Sequence, residues 1–168
     1  MGHSPNVTGL DWFFESVWPQ VHKRLPELEF VIVGSKMTDE MRARWAKIDG
    51  VIVRGYVENL GEAYAAATAV VVPILTGGGT CVKLVEALSY GKKVLATPFG
   101  ARGLSVRQIE AAQISIFETA AEFGDELKKF LSGGDNLASR VFVDAQSMVK
   151  RDYAEGFFNQ QVENLLVR

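Results

Sequence analysis

The sequence predicts a three-layer α/β/α domain built on a mostly parallel β-sheet. Short apolar runs alternate along the chain with segments of helical periodicity, which is the pattern of parallel strands joined by crossover helices. The 168 residues, 48% of them hydrophobic, suffice for one domain with a sizeable core. We therefore expect a single domain over residues 1–168, with ligands bound beyond the carboxyl ends of the strands.

The first half of the chain contains three predicted strands. A helix comes first, because apolar residues recur at helical spacing over residues 10–24, between a break at Pro5-Asn6 and a stop at Pro26. The apolar runs that read as strands are residues 28–33, 51–53 and 69–75. Two helices connect them, from Thr38 or Asp39 to about residue 47 and over residues 60–67, the second capped by Asn59 with Glu62 in a capping box.

The second half begins with a glycine-rich segment and continues the alternation. A helix is predicted over residues 81–90 and ends at Gly91, and a strand follows over residues 93–97. The pattern weakens after Leu104. The remaining predictions are a last short strand at 114–117 and helices at 119–131, 136–148 and 152–167.

Composition indicates an ordinary soluble protein. The charged fraction is 23% and the net charge is −2, so no basic excess favours nucleic acid as a partner. Cys81 is the only cysteine, and the N-terminus lacks a signal-like apolar stretch, so we expect a cytoplasmic protein. The longest mostly apolar segment, residues 63–75, is shorter than the ~20 residues that span a bilayer, which leaves membrane-surface association open.

The junction between the strand at 69–75 and the next helix is the strongest local indication of a functional site. Gly77, Gly78 and Gly79 allow close approach of the backbone to a ligand, and Thr80 can cap the helix or donate its hydroxyl to a phosphate. The unpaired N–H groups and the dipole at a helix start favour an anion. The same pattern is also compatible with a simple tight turn. The P-loop and dinucleotide fingerprints both fail, the latter because Val82 stands where a third glycine is needed.

Two charged residues lie one turn apart on the helix after the glycines. Lys83 is close enough to the helix start to reach a phosphate, and Glu86 can accept two hydrogen bonds from the vicinal diol of a ribose. An ordinary surface ion pair is the alternative interpretation. The residues alone therefore predict an α/β domain that holds a phosphorylated ligand.

Residues 79–97 (GTCVKLVEALSYGKKVLAT) resemble the donor-site signature of the group 1 glycosyltransferases, roughly G-T-R-x-K-x-x-E-A-x-x-x-G-x-P-V-V-x-T. Residues 98–104 (PFGARGL) resemble the G-A-E-G-L motif, and residues 55–60 (GYVENL) resemble G-x-V-x-D-L. Residues 2–7 (GHSPNV) are similar to the loop after the first strand of the same domain.

This resemblance implies a Rossmann-like domain, the C-terminal half of a two-domain GT-B fold. It implies retaining transfer from a nucleoside diphosphate sugar of UDP or GDP type, with no metal expected. By the same resemblance, Glu86 binds the ribose hydroxyls, the glycine loop and helix start hold the diphosphate near Lys83, and the loop at Gly55-Tyr56 approaches the base.

The chain departs from the family pattern at three positions. Gly78 stands where many members carry a first glutamate, and Cys81 replaces the usual arginine. Arg102 replaces the glutamate of G-A-E-G-L and can supply a positive charge in place of the missing arginine.

The resemblance also implies that a strand before residue 2 and an N-terminal acceptor domain are missing, so we expect a fragment or half-enzyme that is inactive alone. The missing strand would leave a gap between the strands at 28–33 and 69–75. Unpaired backbone groups in that gap favour self-association.

Two other classes of function stay open at this point. One is a GT-B relative with different chemistry, such as a nucleotide-sugar epimerase, although only Glu86 stands out as an acid or base. The other is a non-catalytic nucleotide-binding or assembly module, which the missing half and the changes at positions 78 and 81 favour.

Overall fold

The computed structural model describes residues 5–79 and 81–131 and the backbone of residues 140–144. Its six strands form one sheet in the order β2-β1-β6-β3-β4-β5, and every pairing in it is parallel. The strands are β1 Glu29–Val33, β2 Val51–Gly55, β3 Ala69–Val72, β4 Lys93–Ala96, β5 Ser115–Ile116 and β6 Arg140–Asp144. The predicted Rossmann-like α/β class is therefore confirmed.

Helices cover both faces of the sheet and complete the three layers. Those within the described residues are α1 Pro5–Ser16, α2 Trp18–Arg24, α3 Asp39–Trp45, α4 Leu60–Ala65, α5 Val82–Ser89, α6 Val106–Ala111 and α7 Ala120–Leu131. One face carries α1, α2, α3 and α7, and the other carries α4, α5 and α6. Within residues 5–79 and 81–131, no helix combines the length and apolarity needed to cross a bilayer.

The strands divide their side chains between two cores because neighbouring residues of a strand point to opposite faces. In β1, Phe30 and Ile32 pack with the helices of the first face, and Val31 and Val33 pack with those of the second. Phe13 of α1 is fully buried at the centre of the first core, where it contacts the rings of Phe14, Trp18, Phe30, Phe117 and Phe123.

The centre of the sheet corrects two predictions. Residues 140–144 form β6, so the helix predicted over 136–148 is wrong there, and the rest of that helix, like the one at 152–167, lies outside the described residues. β6 pairs with β1 on one side and β3 on the other, so the expected gap is filled by the chain itself. The backbone groups that were predicted to be unpaired have partners in β6. The argument that they favour self-association therefore no longer holds.

The N-terminal helix begins earlier and is interrupted. Helix α1 starts at Pro5, although the sequence analysis interpreted Pro5-Asn6 as a break. A proline fits the first turn of a helix, because the N–H that it lacks would have no partner there. The predicted continuous helix to Arg24 divides at Val17. Pro19 in the first turn of α2 has no N–H for the preceding turn, which explains the break.

Side-chain caps fix the starts of the short helices. The Thr38 hydroxyl accepts a bond from the Met41 N–H at 3.2 Å, and the Asn59 side chain accepts one from the Glu62 N–H at 3.2 Å, as predicted. The sequence analysis missed α6. Its Ser105 and Gln108 form a full capping box, and the Ser-x-x-Gln spacing was the available signal.

Helix α1 crosses the end of β3 at a glycine. A methyl group built on Gly9 would overlap the carbonyl oxygen of Pro73, the first residue after β3. Only a residue without a side chain permits this approach, which brings the start of α1 close to the loop that leaves β3.

Replacing Gly9 with alanine tests the close approach. Alanine normally stabilises a helix interior by about 0.5–1 kcal/mol relative to glycine. We expect Gly9→Ala to lower the free energy of unfolding instead, because the methyl group must push α1 away from Pro73.

Gly124→Ala is the matched control, because Gly124 also lies within a helix and its added methyl group meets no atom of the described residues within 4 Å. Urea titration of both variants measures the effect, and we expect Gly124→Ala to be neutral or stabilising. Equal effects of the two substitutions would contradict the proposed role of Gly9.

Candidate functional site

The candidate site lies at the carboxyl edge of the sheet, where β3 and β4 end side by side. The chain leaves β3 through residues 73–79 and leaves β4 through residues 97–103. The sheet order reverses beside β3, at β6, because β2 and β1 lie on one side of β6 and β3, β4 and β5 lie on the other. Open α/β sheets bind ligands at such a point.

The glycine loop, residues 77–79, presents bare backbone to solvent. Gly77 has φ 130° and Gly79 has φ 68°, which are conformations that side chains disfavour. No atom of the described residues lies within 4 Å of a Cβ built on Gly78 or Gly79. The loop therefore borders open space in which a ligand can contact its backbone. Thr80, also predicted to bind, lies outside the described residues.

Helix α5 begins directly after this loop. Its N-cap residue, Cys81, provides no side-chain hydrogen bond to the helix start. Cys81 is 8% exposed and packs in the second core. The Cys81 side chain thus leaves the partial positive charge at the start of α5 uncompensated.

Lys83 and Glu86 both lie on α5, but in different surroundings. Lys83 is only 7% exposed, and its Nζ atom is buried. Glu86 is half-buried, with its Oε2 atom withdrawn from solvent. The burial of both groups argues against an ordinary surface ion pair, because surface charges keep their polar atoms in water.

Arg102 joins the two loops of the edge. Its Nη1 donates to the carbonyl of Phe99 at 2.8 Å, its Nη2 donates to the carbonyl of Gly78 at 2.9 Å, and its guanidinium lies 4.3 Å from the centre of the Phe99 ring. The structure therefore brings Arg102 to the glycine loop, although 24 residues separate it from Gly78.

A buried threonine also links the same two loops. Thr97 is 2% exposed; its hydroxyl donates to the carbonyl of Ile74 and accepts from the Gly100 N–H at 3.0 Å. Thr97 therefore ties the exit of β3 to the exit of β4. The sequence analysis did not single it out, since both partners depend on the pairing of the two strands.

The other predicted contacts lie farther along the edge. Gly55 ends β2 with φ 75°, and a Cβ there would overlap the guanidinium of Arg42. Tyr56 is 54% exposed. β2 and β3 are separated by β1 and β6, so three inter-strand spacings, roughly 14 Å, lie between Gly55 and the glycine loop. The structure places Gly55 and Tyr56 on the same edge as the loop but not in contact with it.

A groove of about 640 Å³ lies near the part of the edge that carries Gly55 and Tyr56, between α4 and the β1–β2 side of the sheet. It extends to Val57, Glu58 and Asn59, the residues that follow Tyr56. The sequence analysis assigned it no role.

Comparison with known proteins gives two matches. A family model described as Glycosyl transferases group 1 matches residues 1–132. A curated relative from Klebsiella pneumoniae, "Uncharacterized 44.6 kDa protein in cps region", is 25% identical over 156 residues. The match covers 88% of this chain and 39% of the relative, so the chain spans less than half the length of that protein.

Thr97→Val tests the link between the two loops. The substitution keeps the shape of the side chain but leaves the Ile74 carbonyl and the Gly100 N–H without their partner, so we expect a loss of about 1–3 kcal/mol in the free energy of unfolding. Thr97→Ser keeps the hydroxyl and should lose less. A serine variant as unstable as the valine variant would show that the methyl group, not the hydrogen bonds, matters.

Proposed function

Because the chain belongs to the group 1 glycosyltransferase family, we propose that it is the domain that binds the nucleoside diphosphate sugar donor. The observation that carries this proposal is the glycine loop, with open space over Gly78 and Gly79 directly before the start of α5. Backbone N–H groups of a helix start and the helix dipole, next to such an open space, suit an anionic diphosphate better than a neutral ligand.

The proposal assigns the diphosphate to residues 77–80 and the first turn of α5. Lys83 adds a positive charge within that turn, and its burial strengthens its electrostatic effect because water screens it less. Cys81 contributes no charge, so Lys83 carries more of the neutralisation than it would beside an arginine.

Glu86 is proposed to hold the ribose. It lies one helical turn beyond Lys83 on α5. The length of one turn matches the distance between a phosphate at the helix start and the sugar attached to it. A half-buried carboxylate can accept both ribose hydroxyls.

The base is proposed to extend toward Gly55 and Tyr56. Tyr56 offers an exposed ring for stacking, and the groove beside residues 57–59 leaves room for a planar group. The donor would thus run across the carboxyl edge of the sheet from β3 toward β2.

The reaction proposed for the whole protein is retaining sugar transfer from a UDP- or GDP-sugar to an acceptor held by another domain. The residues described here would bind the donor and stabilise the negative charge of the departing diphosphate, which is electrostatic preorganisation. No residue of this edge is proposed to attack the sugar.

Calorimetric titration with UDP, GDP and ADP tests the proposal. We expect one of the three to bind and Glu86→Gln to weaken that binding by about 1–3 kcal/mol, the range for losing hydrogen bonds to a charged acceptor. Glu110→Gln, an exposed carboxylate on α6, is the control for the lost charge and should bind normally. Absence of binding by all three nucleotides would contradict the proposed function.

Gly79→Val and Gly91→Val form a second matched pair. Both glycines have φ near +65°, and an added Cβ on either meets no atom within 4 Å in the described part of the chain, so the two substitutions impose similar backbone strain. Gly91 lies at the opposite end of α5. We expect both variants to lose similar stability and only Gly79→Val to lose nucleotide binding. Normal binding by Gly79→Val would show that residues 77–79 form a simple turn.

A further inference from the structure

Arg102 has donor groups that the fold does not use. A guanidinium carries five N–H groups. Two of them bond the carbonyls of Phe99 and Gly78, and Nε has no hydrogen-bond partner in the part of the chain that the structure describes, although it is buried. Among the described residues, each Nη group makes one hydrogen bond and so keeps a second N–H for a ligand.

The guanidinium is also fixed before any ligand arrives. Its two backbone bonds and its stacking at 4.3 Å on the Phe99 ring hold the plane of the group in one orientation. An arginine held in this way loses little conformational entropy when it binds, and its fork of donors matches a group with two anionic oxygens.

The position of Arg102 along the loop indicates which part of a donor it faces. Arg102 bonds Gly78, which precedes the N-cap residue Cys81 by three residues. Glu86 follows Cys81 in the chain and lies within α5. Consider a donor with its ribose at Glu86 and its α-phosphate at the start of α5. Its outer end, which is the sugar-linked phosphate together with the sugar, would then face Gly78. The space over Gly78 is open, so that end has room beside the guanidinium.

We propose that Arg102 binds an anionic group at the outer end of the donor and thereby sets which donors the site accepts. The chemistry is that of an oxyanion with two accessible oxygens, supplied either by the sugar-linked phosphate or by a carboxylate on the sugar. The inference rests on the proposed function. A glutamate at position 102, as in the usual motif, would repel such a group.

Binding measurements on the full chain with Arg102→Gln test the proposal. The probes share one base, that of the nucleotide that binds the wild type: the monophosphate, the diphosphate, the diphosphate-hexose and the diphosphate-hexuronate. Arg107→Gln, an exposed arginine on α6, is the control for the loss of one positive charge. We expect it to change no affinity by more than about twofold at physiological salt, because water and salt screen an exposed charge.

Two results would support the proposal and identify the anionic group. If the phosphate is the group, Arg102→Gln weakens the diphosphate and both sugar nucleotides by roughly tenfold or more, and leaves the monophosphate unchanged. If the carboxylate is the group, the wild type prefers the hexuronate over the hexose, and Arg102→Gln removes that preference.

Other results would overturn it. Unchanged affinities for all four probes in Arg102→Gln would remove Arg102 from the site and leave the proposed function standing. An equal loss for the monophosphate and the diphosphate would show that Arg102 acts only through the shape of the loop. A wild type that binds none of the probes would refute the proposed function as well.

Arg102→Lys is the second variant in case the glutamine variant unfolds. It keeps the charge but loses the fork of donors, so we expect an affinity between those of the wild type and Arg102→Gln. Thermal unfolding of each variant without nucleotide separates loss of the fold from loss of the contact. A lysine variant that is folded and binds every probe as the wild type does would contradict the proposed specificity.

Discussion

The common direction of the strands is the constraint on which the candidate site depends. Because every described strand is parallel to its neighbours, all the strands end at one edge, and each exit loop must turn there before its helix returns across a face. The glycine loop after β3, the Arg102 loop after β4 and the Tyr56 loop after β2 therefore lie on one edge despite their distance in sequence, and the first two are neighbours there. A single reversed strand would send its loop to the opposite edge.

Much of the edge could be predicted from local sequence. The strand–glycine–helix pattern at residues 69–90 defines its own geometry, since the turn chemistry, the helix start and the bounding strand lie within a short stretch. The caps at Thr38 and Asn59 were predictable for the same reason. Each of these features involves partners at most a few residues apart, and such interactions leave a readable pattern.

The errors concern partners that are distant in sequence. β6 is a five-residue segment whose identity as a strand depends on backbone bonds to β1 and β3, and an apolar run of that length fits a helix equally well. The bonds of Arg102 to Gly78 and of Thr97 to Ile74 exist only because β3 and β4 pair. Sequence reasoning identified Arg102 as a charge but could not predict which backbone it holds.

The place of β6 in the sheet has a consequence for how the molecule is made. It is the last described strand in the chain and the third in the sheet, with β2-β1 on one side and β3-β4-β5 on the other. During synthesis, both halves emerge from the ribosome before the strand that joins them, so each exposes an open apolar edge for a time. Such edges pair readily with other chains. Folding of this chain therefore depends on closing a long-range contact late, which favours slow folding and gives a chaperone a defined interval in which to act.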